Sequence, residues 1–85
     1  MPEPTVCISI VTFNSSRYIR RCLEAVLNQR DVQFEVVVVD NASKDETRLI
    51  LEEFRNRIRL ILNPGNVGFA AAQNQAIRSS FAEWV

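Results

Sequence analysis

Small polar residues gather directly after three apolar runs in this sequence. Thr12, Phe13 and Asn14 follow the first run, Asp40, Asn41 and Ser43 the second, and Asn63, Asn66 and Gly68 the third. Together they offer hydrogen-bond donors and acceptors and one carboxylate, a set suited to holding a base and a ribose. The chain has no histidine, which removes histidine bases and histidine metal ligands. It also lacks both a G-x-G-x-x-G turn after the first run and a G-x-x-x-x-G-K-[ST] phosphate loop. Each residue has a plainer reading beside the functional one. Asn14 opens a turn, Ser43 caps a helix, Asp40 satisfies nearby backbone amides, and Gly68 relieves a helix start. The set carries more information than any member, because the ends of different strands converge in an open α/β sheet.

The elements that must position these residues alternate in type. Val6 to Phe13 (VCISIVTF) is short, apolar and rich in β-branched residues, as expected of a strand buried on both faces. Asn14-Ser15-Ser16 forms a turn that supplies an N-cap. Ile19, Cys22, Leu23, Val26 and Leu27 then recur with helical spacing, leaving Arg20, Arg21, Glu24 and Asn28 for water. Phe34 to Val39 contains four consecutive valines and predicts a central parallel strand. Ser43-Lys44-Asp45-Glu46 has the form of a capping box opening a second helix, with Thr47, Ile50, Leu51 and Phe54 as its inner stripe. Asp45 is placed in the first helical turn, where the macrodipole accounts for an acid. Ile58 to Leu62 is a third strand, and Val67 to about Ser80 a third helix. Glu83-Trp84-Val85 reads as the opening of a fourth strand. The order β-α-β-α-β-α-(β) predicts a parallel sheet covered on both faces by right-handed crossovers.

Length and charge narrow the possibilities. Eighty-five residues allow one small domain, and the entry of a further strand at the end marks the chain as the front part of a larger unit. A sheet cut there exposes an apolar edge, so self-association is expected. Ten basic residues balance ten acidic ones, so no overall field favours nucleic acid. Arginine clusters at Arg17, Arg20 and Arg21 and at Arg55, Arg57 and Arg59 read as solvated helix faces. Cys7 and Cys22 read as buried, inert thiols. There is neither a signal peptide nor an apolar stretch of membrane-spanning length, and the expected setting is cytoplasmic, the inner face of the membrane included.

Three segments resemble the motifs of family 2 glycosyltransferases. Ser9-Ile10-Val11-Thr12-Phe13-Asn14 is similar to the family's opening strand. Val37 through Thr47, with Asp40-Asn41-Ala42-Ser43-Lys44-Asp45 at its centre, resembles V-V-D-[DN]-x-S-x-D-x-T. Asn66 through Ile77, with Gly68 and Asn74, resembles N-x-G-x-[SA]-x-[AR]-x-N-x-[GA]-[IL]. Two departures stand out: Gln73 replaces a frequent basic residue, and no glycine lies near Gln75 or Ala76.

The resemblance implies the N-terminal part of a GT-A fold, Rossmann-like, forming a single nucleotide-sugar-binding subdomain over residues 1–85. It implies a nucleotide-binding set of Thr12, Phe13, Asn14, Asp40, Asn41, Ser43, Asn66, Gly68 and Asn74. Thr12, Phe13 and Asn14 would lie against the nucleoside, Asp40 would meet the base, and Asn66 to Asn74 would close the pocket. It further implies an inverting transfer from a nucleotide-diphosphate sugar to an acceptor saccharide or lipid-linked glycan. The Mg²⁺ or Mn²⁺ it implies is held by a D-x-D motif beyond this chain, as is the catalytic base, so the piece alone is expected to be inactive. The wording of the motifs looks most like rhamnosyltransferase-type members. The competing class is a non-catalytic nucleotide-binding module of the same fold. A receiver-type signalling domain is disfavoured, because Asp40 stands without the acidic cluster and lysine it needs.

Overall fold

The computed structural model describes residues 6–29 and 34–80. The proposed fourth strand at Glu83–Val85 lies outside the described residues. Three strands, β1 (Val6–Thr12), β2 (Phe34–Asp40) and β3 (Arg59–Leu62), alternate with three helices, α1 (Ile19–Leu27), α2 (Thr47–Glu53) and α3 (Phe69–Ser79). The order β-α-β-α-β-α matches that read from the pattern, with boundaries shifted by one or two residues.

The sheet is parallel throughout, with β2 between β1 and β3. Its register aligns Thr12 with Asp40 and Asp40 with Leu62. All three strands therefore end at one rim, and whatever follows them is delivered to the same place. The valines of β2 are buried on both sides of the pleat, as a middle strand with both faces covered requires. Val36 and Val38 join Ile19, Leu23, Leu51 and Phe54 in a core beneath α1 and α2. Val37 and Val39 point the other way, against Cys7 and against Ala72 and Ala76 of α3. Alanines at Ala72 and Ala76, one helical turn apart, let α3 lie close to the sheet.

Two local expectations are corrected. Cys22 is exposed, whereas Cys7 is buried. The inner face of α1 is narrow, with Ile19 and Leu23 fully covered and Val26 and Leu27 partly. Arg20 leans toward α2, where its guanidinium grips the Glu53 carboxylate at 2.7 and 2.6 Å. Cys22 falls on the opposite flank with exposed Tyr18. The helix starts also differ, because no side chain caps α1, α2 or α3 at its N-cap position. In α1 the Ser15 carbonyl accepts from the amides of Tyr18 and Ile19 instead.

Burial predicts a contrast along α2. Leu51 is fully enclosed and Leu49 is 71% exposed. Leu51→Ala should cost about 2–5 kcal/mol in denaturant unfolding of the intact protein, and Leu49→Ala should stay within roughly 0.5 kcal/mol.

Candidate functional site

At the end of β2 the Asp40 side chain turns under α1 and α2 and is 0% exposed. Its Oδ1 accepts from Thr12 Oγ1 at 2.6 Å and Ser43 Oγ at 2.5 Å. Its Oδ2 accepts from the Ser43 amide at 2.9 Å and Arg48 Nε at 2.7 Å. A buried carboxylate needs such partners, since an unpaired charge there costs several kcal/mol. Burial pushes this carboxyl up, but the hydrogen bonds from Ser43, Thr12 and Arg48 outweigh it and hold it below the ordinary carboxylate value. Arg48 also donates through Nη2 to the Asn63 carbonyl at 2.5 Å, tying the ends of β2 and β3 together.

The loop after β1 is sewn to the loop after β2. The Asn14 amide donates to Ser43 Oγ and the Lys44 amide to Asn14 Oδ1, both at 2.8 Å. The Ser15 amide donates to Thr47 Oγ1 at 2.8 Å, and the Ser16 amide to Asp45 Oδ2 at 3.2 Å. Asp45 lies just before α2, where its Oδ1 takes the Thr47 hydroxyl at 2.5 Å and the Thr47 amide at 2.9 Å. The Thr47 hydroxyl bond, opposed by desolvation and reinforced by the Thr47 amide and Ser16, holds this carboxyl at about 2. The expected capping box is therefore replaced. Ser43 serves Asp40, and Asp45 takes up the free amide at the start of α2 while also reaching across to the neighbouring loop.

Two non-glycine residues here have left-handed backbone, Asn14 (φ 49) and Ala42 (φ 61). Asparagine tolerates that region, whereas alanine is strained in it. Such strain persists where surrounding bonds over-determine the chain, and here both loops are fixed on either side.

A second network occupies the opposite face of the sheet and consists of amides. Asn41, buried, accepts through Oδ1 from Asn63 Nδ2 at 2.9 Å and donates through Nδ2 to the Gly68 carbonyl at 3.1 Å. Asn63 and Gln75 form a reciprocal pair, 2.8 Å in each direction. Asn66 Oδ1 accepts from the Gly68 amide at 2.8 Å and closes the turn into α3. Gly68 has φ 87, and a Cβ there would meet nothing within 4 Å, so backbone conformation rather than space calls for glycine.

Thr12, Asn14, Asp40 and Ser43 thus meet in one hydrogen-bonded group, and Asn41, Asn66 and Gly68 in another beside it. Phe13 lies at the rim and is 51% exposed. Asn74 is not brought to either group. It stands between Ala72 and Ala76 in sequence, hence on the outer side of α3, and is exposed. Asp40, which the resemblance places against a base, has both oxygens occupied by protein donors in this structure. Arg48, Thr47, Asn63 and Gln75 belong to these networks although none is in the nucleotide-binding set that the resemblance implies. Asn63 was visible as a polar residue at a strand end. Thr47 closes the second motif and lies in the inner stripe of α2, whereas Arg48 and Gln75 look like ordinary helix residues and carry no such signal.

No cluster of three or more histidine, cysteine, aspartate or glutamate side chains gathers among the described residues. Each Asp40 oxygen takes two protein donors, whereas Asp45, exposed, accepts from the Thr47 hydroxyl, the Thr47 amide and the Ser16 amide.

The family model of glycosyl transferase family 2 matches residues 7–85. Chondroitin synthase of Escherichia coli is 39% identical over 77 residues, covering 88% of this chain and 11% of its own length. The putative glycosyltransferase EpsH of Bacillus subtilis is 32% identical, covering 100% of this chain and 25% of its own. Among solved structures, S. aureus TarS in complex with UDP superposes with a TM-score of 0.81 at 29% identity, covering 95% of this chain and 26% of that one. The mannosyltransferase PcManGT from Pyrobaculum calidifontis, in complex with GDP-Man and Mn²⁺, gives 0.81 at 28% identity over 94% of this chain and 25% of its own. The chain therefore spans about a tenth to a quarter of each of these relatives.

Two stability outcomes follow from the geometry. Ala42→Gly should raise the unfolding free energy by about 0.5–1 kcal/mol, the relief of left-handed strain exceeding the added backbone entropy. Asp45 has a depressed folded-state value, so its contribution is complete above the unfolded value near 4 and is lost as pH falls toward about 2. Asp45→Asn should be less stable at neutral pH and show a flatter decline in that acid window, read from urea midpoints against pH.

Proposed function

The chain belongs to glycosyl transferase family 2, and from that premise we propose that it forms the nucleotide-binding part of an inverting transferase. That enzyme moves a sugar from a nucleotide diphosphate to an acceptor hydroxyl of a saccharide or lipid-linked glycan, in the synthesis of a polysaccharide or glycoconjugate. The observation that carries the proposal is the rim itself. The ends of three parallel strands meet there, two loops are joined by four hydrogen bonds, and the exposed Phe13 ring lies beside them. Ligands of open α/β sheets bind outside the carboxyl ends of the strands. Neighbours of the same fold are solved in complex with UDP and with GDP-Man.

In this scheme Thr12, Phe13 and Asn14 form the edge against the nucleoside, with the Phe13 ring as a stacking surface. Asp40 and Ser43 hold that edge in place from below. Asn41 fixes the Val67–Gly68 turn, which borders the same pocket and brings Asn66 with it. Asn74, on the outer side of α3, would contribute from there toward parts of the protein beyond this chain. A divalent cation on the diphosphate and the base that activates the acceptor belong to residues outside this segment. The chain's own part is to bind and orient the donor, which lowers the entropic barrier to transfer. No helix among the described residues is long and apolar enough to cross a membrane.

Calorimetric titration of the intact protein with uridine diphosphate and guanosine diphosphate tests the proposal. One of the two should bind, and Phe13→Ala should weaken it roughly tenfold or more, the usual scale of base stacking on an aromatic ring. Absence of binding to both, or unchanged binding by Phe13→Ala, would overturn it.

A further inference from the structure

The amide network links α3 to the rim through a continuous set of bonds. Gln75 lies six residues beyond the first residue of α3, about 9 Å along the helix axis. Its Oε1 accepts from Asn63 Nδ2, and its Nε2 returns a bond to Asn63 Oδ1, each at 2.8 Å. The other Nδ2 hydrogen of Asn63 goes to Asn41 Oδ1 at 2.9 Å. That oxygen also receives the Val67 amide at 3.4 Å, and Asn41 Nδ2 holds the Gly68 carbonyl at 3.1 Å. The last two contacts define the turn bordering the proposed pocket.

An amide can rotate by half a turn at little cost unless its donors and acceptor are all assigned. Gln75 makes that assignment for Asn63, offering an acceptor to one Nδ2 hydrogen and a donor to Oδ1. With Asn63 fixed, its second hydrogen must face Asn41, which in turn must present Nδ2 to Gly68. Asn63 and Asn41 are both buried, so neither can find water in exchange. We infer that Gln75 is a positioning residue of the nucleotide site, acting through Asn63 on the contact between Asn41 and Gly68. The assignment rests on the nucleotide-binding function proposed above.

Gln73 supplies the control. It lies two residues earlier on the same helix, and its Oε1 accepts from Ser9 Oγ at 2.6 Å, midway along β1. That bond attaches α3 to the sheet but leads to no rim residue. A merely structural glutamine at position 75 would behave like Gln73.

The experiment compares Gln75→Met, Gln75→Glu and Gln73→Met in the intact protein. Melting temperature, nucleoside diphosphate Kd, and donor KM and kcat are each measured well below the melting transition. Gln75→Met keeps the length and removes both bonds, while Gln75→Glu keeps an acceptor and removes the donor. Both Gln75 variants should raise Kd and KM about tenfold, the scale of a lost buried hydrogen bond, with kcat at saturation changed by less than about twofold. Gln73→Met should lower the melting temperature and leave Kd unchanged. If Gln75→Met fails to fold, Gln75→Glu carries the same comparison. A Gln75 variant that binds nucleotide as tightly as the unaltered protein and loses only thermal stability overturns the assignment. An unaltered protein that binds no nucleoside diphosphate overturns the proposed function, and this assignment with it.

Discussion

A carboxylate taken out of water at the end of the middle strand governs the arrangement of this chain. Asp40 has no exposed surface, so its four acceptor positions must be filled from within the protein. Thr12 comes from the neighbouring strand, Ser43 from the following loop and Arg48 from α2. Arg48 in addition holds the Asn63 carbonyl at the end of β3. Losing one partner would leave a buried charge under-solvated, at a cost several times that of an exposed ion pair. The strand ends are thereby fixed relative to one another more tightly than sheet hydrogen bonds alone would fix them.

The pleat divides the remaining work between two faces. Asp40 points toward α1 and α2, and its neighbour Asn41 points toward α3. One residue therefore organises charged and hydroxyl groups, and the next organises amides. The charged network joins the loops after β1 and β2, while the amide network joins the ends of β2 and β3 to the start of α3. Between them every described loop on the rim is anchored, and the backbone tolerates left-handed conformations at Asn14, Ala42 and Gly68. A site held in this way loses little entropy when a ligand arrives, which is the general advantage of preorganised binding surfaces.

Much of this was legible in the sequence, and the reasons differ by level. Alternating apolar runs and helical stripes fixed the element order, because burial on both faces leaves a continuous apolar signature in β2. The parallel sheet followed from that order. The rim residues were visible as small polar groups after each strand, and most of them fall within the family's motifs. What stayed hidden was the choice of partners. Ser43 and Glu46 have the spacing of a capping box, but a buried carboxylate three residues earlier competes for the serine hydroxyl and wins it. Cys22 fits a helical stripe by spacing, yet α1 turns its inner side toward Leu51, Phe54 and the sheet, leaving that flank open. Arg48 and Gln75 sit on helices among ordinary polar residues, and only the tertiary approach of Asp40 and Asn63 distinguishes them.

The central claim is that Asp40 supports the nucleotide edge from beneath and leaves direct contact to the residues it positions. A crystal structure of the intact protein with a bound nucleoside diphosphate tests this most directly. The account predicts the nucleoside against Thr12, Phe13 and Asn14, with the Asp40 oxygens still held by Thr12, Ser43 and Arg48. A nucleotide seated elsewhere, or an Asp40 carboxylate released from those partners to bond the base, would contradict it.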